Sequence, residues 1–394
     1  MHIYLDHAAS SPLRPEAREA WLDAAATTGN ASSVHGGGQA ARRVLEDARE
    51  RLAAVVGADP IEVVFTSGGT ESVNLAVKGL WATRADGAEA VVLPDGEHHA
   101  TIDSVAALVD AQHAEVRPVR LSPLGEVDLE GFASALGGAA FATALVANNE
   151  VGTLSDAAGL AARAASALVP LHLDAVAAFG QVPVDFRRWR GDVPAGVGLV
   201  ALSLSAHKVG GPVGTGALVS ARSARIGAQM HGGAQQRGLR AGTQDIAGAA
   251  AFAVAAELAA AERDAEAVRL AELRDRLVSR ARALVPGLEL LGDPVRRIPG
   301  NAHLLVPGAL GETLLFLLDT RGISVSTGSA CQAGIAEPSH VVRALGRDEE
   351  AARSVLRITL GRTTTPDDVD AFLEALPWAA ERARAAGART VSSS

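Results

Sequence analysis

Glu62-Val63-Val64-Phe65-Thr66-Ser67-Gly68-Gly69-Thr70-Glu71-Ser72 reads as a short β-branched strand, a glycine turn and the start of a helix running through Leu80. Such a turn can present bare backbone N–H groups and the Thr70 hydroxyl at a helix N-terminus, a natural place for a phosphate. An ordinary capped helix would look the same, so the turn takes its meaning from its surroundings. Upstream, Gln39 to Val56 is helical, with apolar residues at Val44, Leu45, Ala48, Leu52 and Val55. Downstream, strands are expected at Ala90 to Leu93, Glu115 to Val119, Thr143 to Ala147, Leu171 to Asp174 and Leu199 to Leu204, with helices between them. A further strand, Gly214 to Ser220, leaves a glycine turn. This alternation is the pattern of an α/β fold on a largely parallel sheet.

From about residue 245 the chain turns to long helices rich in alanine, leucine and arginine, as far as about Val285. Strands near Ala302 to Val306, Ile323 to Ser326 and Leu356 to Leu360, with helices at Glu312 to Asp319, Ser339 to Ala344 and Pro366 to Ala383, suit a compact α+β lobe. The 394 residues, 48% of them hydrophobic, support a sizeable core. A net charge of −9 gives no basic footprint for direct nucleic-acid or anionic-membrane binding, so small molecules and proteins are the expected partners. Met1 to Pro12 lacks a charged lead followed by an apolar run, and a cytoplasmic protein is expected. The most apolar stretch, Ile246 to Ala256, falls short of the about 20 residues a bilayer span needs and reads as a packed helix. A single cysteine, Cys331, excludes an internal disulfide and a cysteine-based zinc cluster.

Only two of the 36 basic residues are lysines, and one of them, Lys208, stands in Leu202-Ser203-Leu204-Ser205-Ala206-His207-Lys208-Val209-Gly210-Gly211. Where charge alone is wanted arginine serves, but arginine keeps its proton; a lysine kept here points to a use for its amine. That amine can form a Schiff base with a carbonyl, either pyridoxal phosphate (PLP) or a substrate. A surface lysine in an arginine-rich chain is the plain alternative. Asp174 closes the run Pro170-Leu171-His172-Leu173-Asp174, where a buried carboxylate needs a partner. A protonated pyridine nitrogen would be one, and capping the residues after it is the other reading. His98 and His99 follow Glu97 at a helix start. Adjacent histidines face different sides, which suits one stacking or catalytic ring and one surface ring better than a metal pair, and no metal is expected. Cys331 lies among the small residues Ser326-Thr327-Gly328-Ser329-Ala330-Cys331-Gln332-Ala333-Gly334. A lone cysteine is usually a small buried hydrophobe, yet a thiol on such a loop can be delivered to a substrate.

Taken together the motifs resemble, nearly end to end, the NifS/IscS-type cysteine desulfurases, PLP enzymes of the class V aminotransferase group. The pieces that carry the likeness are Tyr4-Leu5-Asp6-His7-Ala8-Ala9, Gly29-Asn30-Ala31-Ser32-Ser33 with His35, Phe65 to Ser72, and Glu97-His98-His99. They continue through Asn148-Asn149-Glu150-Val151-Gly152, Ser203 to Lys208, Met230-His231-Gly232-Gly233 with Arg237, Arg240, Gly242 and Thr243, and the Cys331 loop running into Glu337-Pro338-Ser339-His340. The resemblance implies a PLP-dependent transferase fold of type I, an α/β fold with a mainly parallel mixed sheet flanked by helices and a smaller α+β C-terminal domain. The expected division is a large PLP-binding domain over 15–252, with 1–14 and 253–394 forming the small domain that carries the cysteine loop.

It implies site roles as well. Lys208 would hold PLP as a Schiff base, Asp174 would pair with the pyridine nitrogen, and His98 would stack on the ring and move protons. Gly69, Thr70, Ser205 and His207 would hold the phosphate, joined by Thr243 from a second subunit, which implies a homodimer. Asn149 would contact the ring substituents and the substrate. Asn30 would also bind substrate, and Arg357 would grip its α-carboxylate as a bidentate fork. The implied reaction takes sulfur from L-cysteine as a persulfide on Cys331, releases L-alanine, and passes the sulfur to a protein acceptor such as an iron–sulfur scaffold or a tRNA-thiolation protein. Another class V reaction on the same scaffold, a C–S lyase, selenocysteine lyase or aminotransferase, is the alternative. Two positions depart from the family's pattern: Ala177 stands where a glutamine usually bonds the cofactor's phenolic oxygen, and Ala206 stands where glycine is usual.

Overall fold

The computed structural model describes residues 2–328 and 337–391, with side chains in the last helix described to residue 386. The chain opens with a two-residue strand, β1 (Ile3–Tyr4), and then builds a sheet from β2 (Val63–Thr66), β3 (Ala90–Pro94), β4 (Glu115–Val119), β5 (Phe141–Leu145), β6 (Pro170–Asp174), β7 (Gly198–Ser205) and β8 (Gly216–Ser220). Their order across the sheet is β2-β8-β7-β6-β5-β3-β4. Only β8 runs against its neighbours; every other pairing is parallel. Every residue of β2, β5, β7 and β8 is buried, as strands covered by helices on both faces must be. The outer strand β4 differs: it is largely exposed, and Arg117 and Pro118 blunt its free edge.

Because β2, β3, β5, β6 and β7 run the same way, their C-terminal ends open on one side of the sheet, where ligands collect in open α/β folds. The helices start from readable signals. Asp128, Asp156, Asp185 and Asp245 each accept a backbone N–H as N-caps. The helix Gly36–Val56 begins three residues before the periodic stretch, because His35 caps it, and ends on Gly57 at φ +66°.

A second core is built from β9 (Glu289–Leu291), β10 (Asn301–Leu305), β11 (Ile323–Ser324) and β12 (Val355–Thr359) with the helices Gly311–Asp319 and Pro366–Val391. The antiparallel sheet β12-β10-β9 is its spine, and β1 pairs in parallel with β11, tying the N-terminus to this core. The alanine-rich stretch is one continuous helix, Ile246–Leu284. Its first part, through Ala259, is buried in the large core, and from Leu270 onward it belongs to the second. The change of partner therefore falls over residues 260–269 of a single helix. Among the described residues no helix is long and apolar enough to cross a membrane.

Candidate active site

The strand ends and the second core enclose a cleft of about 380 Å³ lined by Gly69, Thr70, His98, Asn149, Asp174, Ala177, Ser205, His207, Lys208 and Arg357, among others. After β2 the chain turns at Gly68, whose φ of +153° favours glycine, and enters the helix Gly69–Ala82 with no side chain capping its first turn. A Cβ on Gly69 would come within 2.8 Å of Val176 Cγ2, so this backbone approaches the end of β6 more closely than any larger residue permits. Glu71 braces the turn by accepting the Ser67 N–H at 2.7 Å and the Arg240 Nε–H at 3.0 Å.

Asp174 ends β6 only 3% exposed, accepting the Val176 N–H at 2.9 Å and facing no cation at ion-pair distance. Burial pushes its carboxyl up to about 6, partly offset by that hydrogen bond and by Lys208. A turn rather than a helix follows Asp174, so it caps no helix; it accepts from that turn and lines the cleft. Beneath it, the buried His172 joins Thr143 Oγ1 (2.9 Å) to Ser203 Oγ (2.8 Å) across β5, β6 and β7. Burial pushes this ring down to about 3, so it is a neutral, satisfied core histidine.

At the end of β7, Ser205 Oγ is buried with no hydrogen-bond partner among the described residues. Ala206 is fully buried opposite Gly211, where a Cβ would come within 2.9 Å of the Ala206 methyl. Lys208 Nζ donates to the carbonyls of Ala8 and of Ala9, the latter at 3.0 Å. Burial, and then the charge of Arg357, push its amine down to about 8. His98 caps the helix His99–Gln112 by accepting the Ala100 N–H on Nδ1 at 3.0 Å. Its ring is open to the cleft, but the walls strip enough water, with help from the Lys208 charge, to push it down to about 4. It is therefore neutral, with its proton on Nε2. His207 is pushed to about 4 by burial and then by Lys208.

Arg357, on β12, brings the second core to the site. Its terminal nitrogens donate to the Asn149 carbonyl at 2.8 Å and to Asp6 Oδ1 at 3.0 Å, and its Nε–H is buried with no partner among the described residues. Ser326 and Gly328 also line the cleft, so the chain leads from its wall toward Cys331, which itself lies outside the described residues. Two expected residues are not brought to this cleft by their own chain. Asn30 is exposed and its Oδ1 accepts the Ser32 N–H at 2.9 Å, and Thr243 is exposed beyond the cleft's lining. Conversely, the sequence reading did not single out Asp6, or the buried Glu97 and Glu150. Glu97 Oε1 accepts the Leu145 N–H at 2.8 Å and burial pushes its carboxyl up to about 8, while Glu150 Oε2 accepts from Ser339 at 2.5 Å. The signal available for all three was their place inside the motifs that carry the family likeness. Among the described residues no group of three or more His, Cys, Asp or Glu is arranged to hold a metal ion.

The model for the family "Aminotransferase class-V" matches residues 3–372. An "IscS-like cysteine desulfurase" of Mycobacterium tuberculosis is 45% identical over 390 residues, covering 97% of each chain. A solved structure described as a "NIFS-LIKE PROTEIN" superposes with a TM-score of 0.88 at 30% identity, covering 96% of this chain and 99% of that one. Another, described as "SspA in complex with cysteine", superposes with a TM-score of 0.78 at 27% identity, covering 91% of this chain and 98% of that one.

Proposed function

The chain belongs to the class-V aminotransferase family of PLP-dependent enzymes, and on that premise we propose that its cleft works as a cysteine desulfurase, taking the sulfur atom from L-cysteine and releasing L-alanine. The observation that carries this reading is the convergence of Lys208, Asp174 and Ser205 at the C-terminal ends of adjacent parallel strands.

The residues present fit PLP. Among the described residues, Ser205 Oγ is a buried hydroxyl with no protein partner and Asp174 is a buried carboxylate without an ion-pair partner, and Gly69 leaves backbone space that a Cβ would fill. Gly69, Thr70, Ser205 and His207 would hold the phosphate, Asp174 the pyridine nitrogen, Asn149 the ring substituents, and Lys208 the aldehyde carbon. When bound, the cofactor supplies an electron sink for the bonds that break at the substrate. Lys208, with an amine near 8, has an appreciable unprotonated fraction at neutral pH and so can attack a carbonyl and then carry a proton at the substrate α-carbon. Neutral His98 offers Nε2–H over the same space. Arg357 would hold the substrate carboxylate, beside Asn149.

Cys331 stands three residues along the chain from Gly328, a reach of at most about 11 Å. As a thiolate it attacks the substrate sulfur: an S–S bond forms, the substrate C–S bond breaks, and its electron pair stays on the three-carbon skeleton, which leaves protonated as L-alanine. The persulfide sulfur then passes to a protein acceptor such as an iron–sulfur scaffold or a tRNA-thiolation protein. The net charge of −9 favours an acceptor with a basic patch. We read residues 15–252 as the larger domain, 1–14 with 253–394 as the smaller, the enzyme as cytoplasmic, and the active unit as a homodimer in which Thr243 serves the neighbouring subunit's cleft.

The test is alanine and sulfide release from L-cysteine with a reductant, comparing the native chain with Lys208→Ala and Cys331→Ser. Both variants should lose sulfide release, Cys331→Ser while still binding the cofactor. Undiminished sulfide release from Cys331→Ser would overturn the desulfurase reading in favour of a lyase.

A further inference from the structure

Arg357 offers five N–H donors in one plane. One on each terminal nitrogen is taken, by the Asn149 carbonyl at 2.8 Å and by Asp6 Oδ1 at 3.0 Å, which leaves Nε–H and a second N–H on each terminal nitrogen. Nε–H is buried, so the donors left to a ligand are the second N–H groups of the two terminal nitrogens, which lie in the one plane that fits a carboxylate. The Asp6 and Arg357 side chains are only 19% and 7% exposed, so this ion pair is largely out of water and fixed by more than surface chance. Asp6 is itself held. Tyr4, the only tyrosine of the chain, donates its hydroxyl to the Asp6 carbonyl at 3.0 Å and the Ser10 carbonyl at 2.8 Å, and Asp6 bridges to Thr359 on β12. The same turn carries the Ala8 and Ala9 carbonyls that receive Lys208 Nζ.

We propose that Asp6 is a positioning residue for substrate recognition: it fixes the plane of the Arg357 guanidinium so that its remaining N–H donors face the substrate α-carboxylate. This rests on the reading of Arg357 as the carboxylate site. Asp6 takes one N–H of Nη2 and leaves a second N–H on each terminal nitrogen, so it orients the group while donors remain for the substrate. Without it, the guanidinium is free to turn toward other acceptors, among them the buried Glu150, whose carboxyl already feels the Arg357 charge. Asp6 also sets a negative charge against Lys208, opposing Arg357 there.

The test uses holoenzyme and three ligands: L-cysteine for turnover, L-alanine for binding followed by the change in cofactor absorbance, and cysteamine, which has the amine and thiol of cysteine but no carboxylate. Asp6→Asn should raise KM for L-cysteine and Kd for L-alanine about tenfold, change kcat less than threefold, leave cysteamine binding within twofold, and retain a full complement of cofactor. Asp6→Glu should recover part of the loss. In Arg357→Ala the further change Asp6→Asn should cost nothing more, since the group it positions is gone. Tighter L-alanine binding by Asp6→Asn would identify Asp6 as a competitor and overturn the proposal. Equal weakening of all three ligands, or a full additional loss in the double variant, would do so too. If Arg357→Ala itself fails to separate L-alanine from cysteamine, the carboxylate reading of Arg357 falls instead, which keeps the two failures apart.

Discussion

The cleft has two unlike walls. On the sheet wall, polar groups lack full partners among the described residues: Ser205 Oγ is buried and unpaired, Asp174 has a backbone N–H but no cation at ion-pair distance, and the helix after Gly68 has no side-chain cap. On the wall made by the N-terminal turn and β12, polar groups hold one another: Lys208 on Ala8 and Ala9, Arg357 on Asp6 and Asn149, Tyr4 on Asp6 and Ser10. The first arrangement costs the bare chain stability and suits a ligand that binds once and stays. The second suits a ligand that comes and goes, because protein contacts stand ready to receive the same groups again.

The largest effect should follow from breaking the sheet wall at Asp174. Asp174→Asn keeps the acceptor for the Val176 N–H but removes the charge, and turnover should drop on the order of 10²- to 10³-fold, as when a group aimed at a developing charge is lost. The cofactor-free protein should move the other way. With its carboxyl raised to about 6, folded Asp174 holds more protons than the unfolded chain between about pH 4 and 6, so stability falls as pH rises through that window and the whole cost persists above it. That cost is on the order of 3 kcal/mol, and urea unfolding of the cofactor-free variant at pH 7 should show most of it regained. Lys208, lowered to about 8, works in the opposite window. Folded protein holds fewer protons than unfolded between about pH 8 and 10.5, so stability should climb with pH there, and Lys208→Met should flatten that limb alone. A cofactor-free protein whose stability does not fall between about pH 4 and 6 would remove the strain ascribed to the sheet wall.

The two walls also differed in how far they could be read from sequence. The sheet wall was legible because each of its groups sits at the end of a strand whose apolar run announces it, and the mostly parallel pairing then gathers those ends. Boundaries blurred where the run gives no alternation: β5 is Phe141–Leu145, two residues ahead of the expected Thr143 to Ala147, because alanine and valine fill the stretch on both sides of its end. On the second wall Lys208, Asn149 and Arg357 could be named through the family likeness, but the contacts that hold them could not. Asp6 and Arg357 are 351 positions apart, and no local pattern pairs them. The long helix concealed its change of partner for a related reason: alanine is tolerated in either core, and only the chain's three-dimensional path decides which half packs where.

A smaller effect on the sheet wall should come from Ser205→Ala. Removing an unpaired buried hydroxyl relieves the cofactor-free protein by about 1 kcal/mol, while losing one donor to a charged phosphate weakens cofactor binding about tenfold. Opposite signs for melting and cofactor affinity are the signature of a group kept for a ligand; a loss in both would mean that Ser205 serves the fold. On the other wall the signs should agree. Tyr4→Phe removes the hydroxyl shared by two carbonyls and should cost about 1 kcal/mol of stability, with KM for L-cysteine raised two- to threefold as Asp6 loosens. Thermal melts and steady-state kinetics on the same preparations decide the contrast.

The smallest effect concerns Ala177, where the walls meet. This residue lines both the main cleft and a smaller hollow beside it, shared with Asn149 and Lys208 and closed by Phe179, Gln181, Ile298 and Asn301. A glutamine here would reach into space that the methyl leaves open and could donate to the cofactor's phenolic oxygen. Asn149, whose Oδ1 has no partner, already offers a side-chain amide on the same side, so a second donor should add only part of a hydrogen bond's worth. Ala177→Gln should therefore tighten cofactor retention two- to fivefold, read by the rate at which absorbance is lost on dilution, and leave kcat within twofold. In an Asn149→Ala background the same change should matter more, since one donor would then stand in for the other. If the gain is no larger there, the two amides do not share an acceptor, and Ala177 is a packing choice with no bearing on the ring.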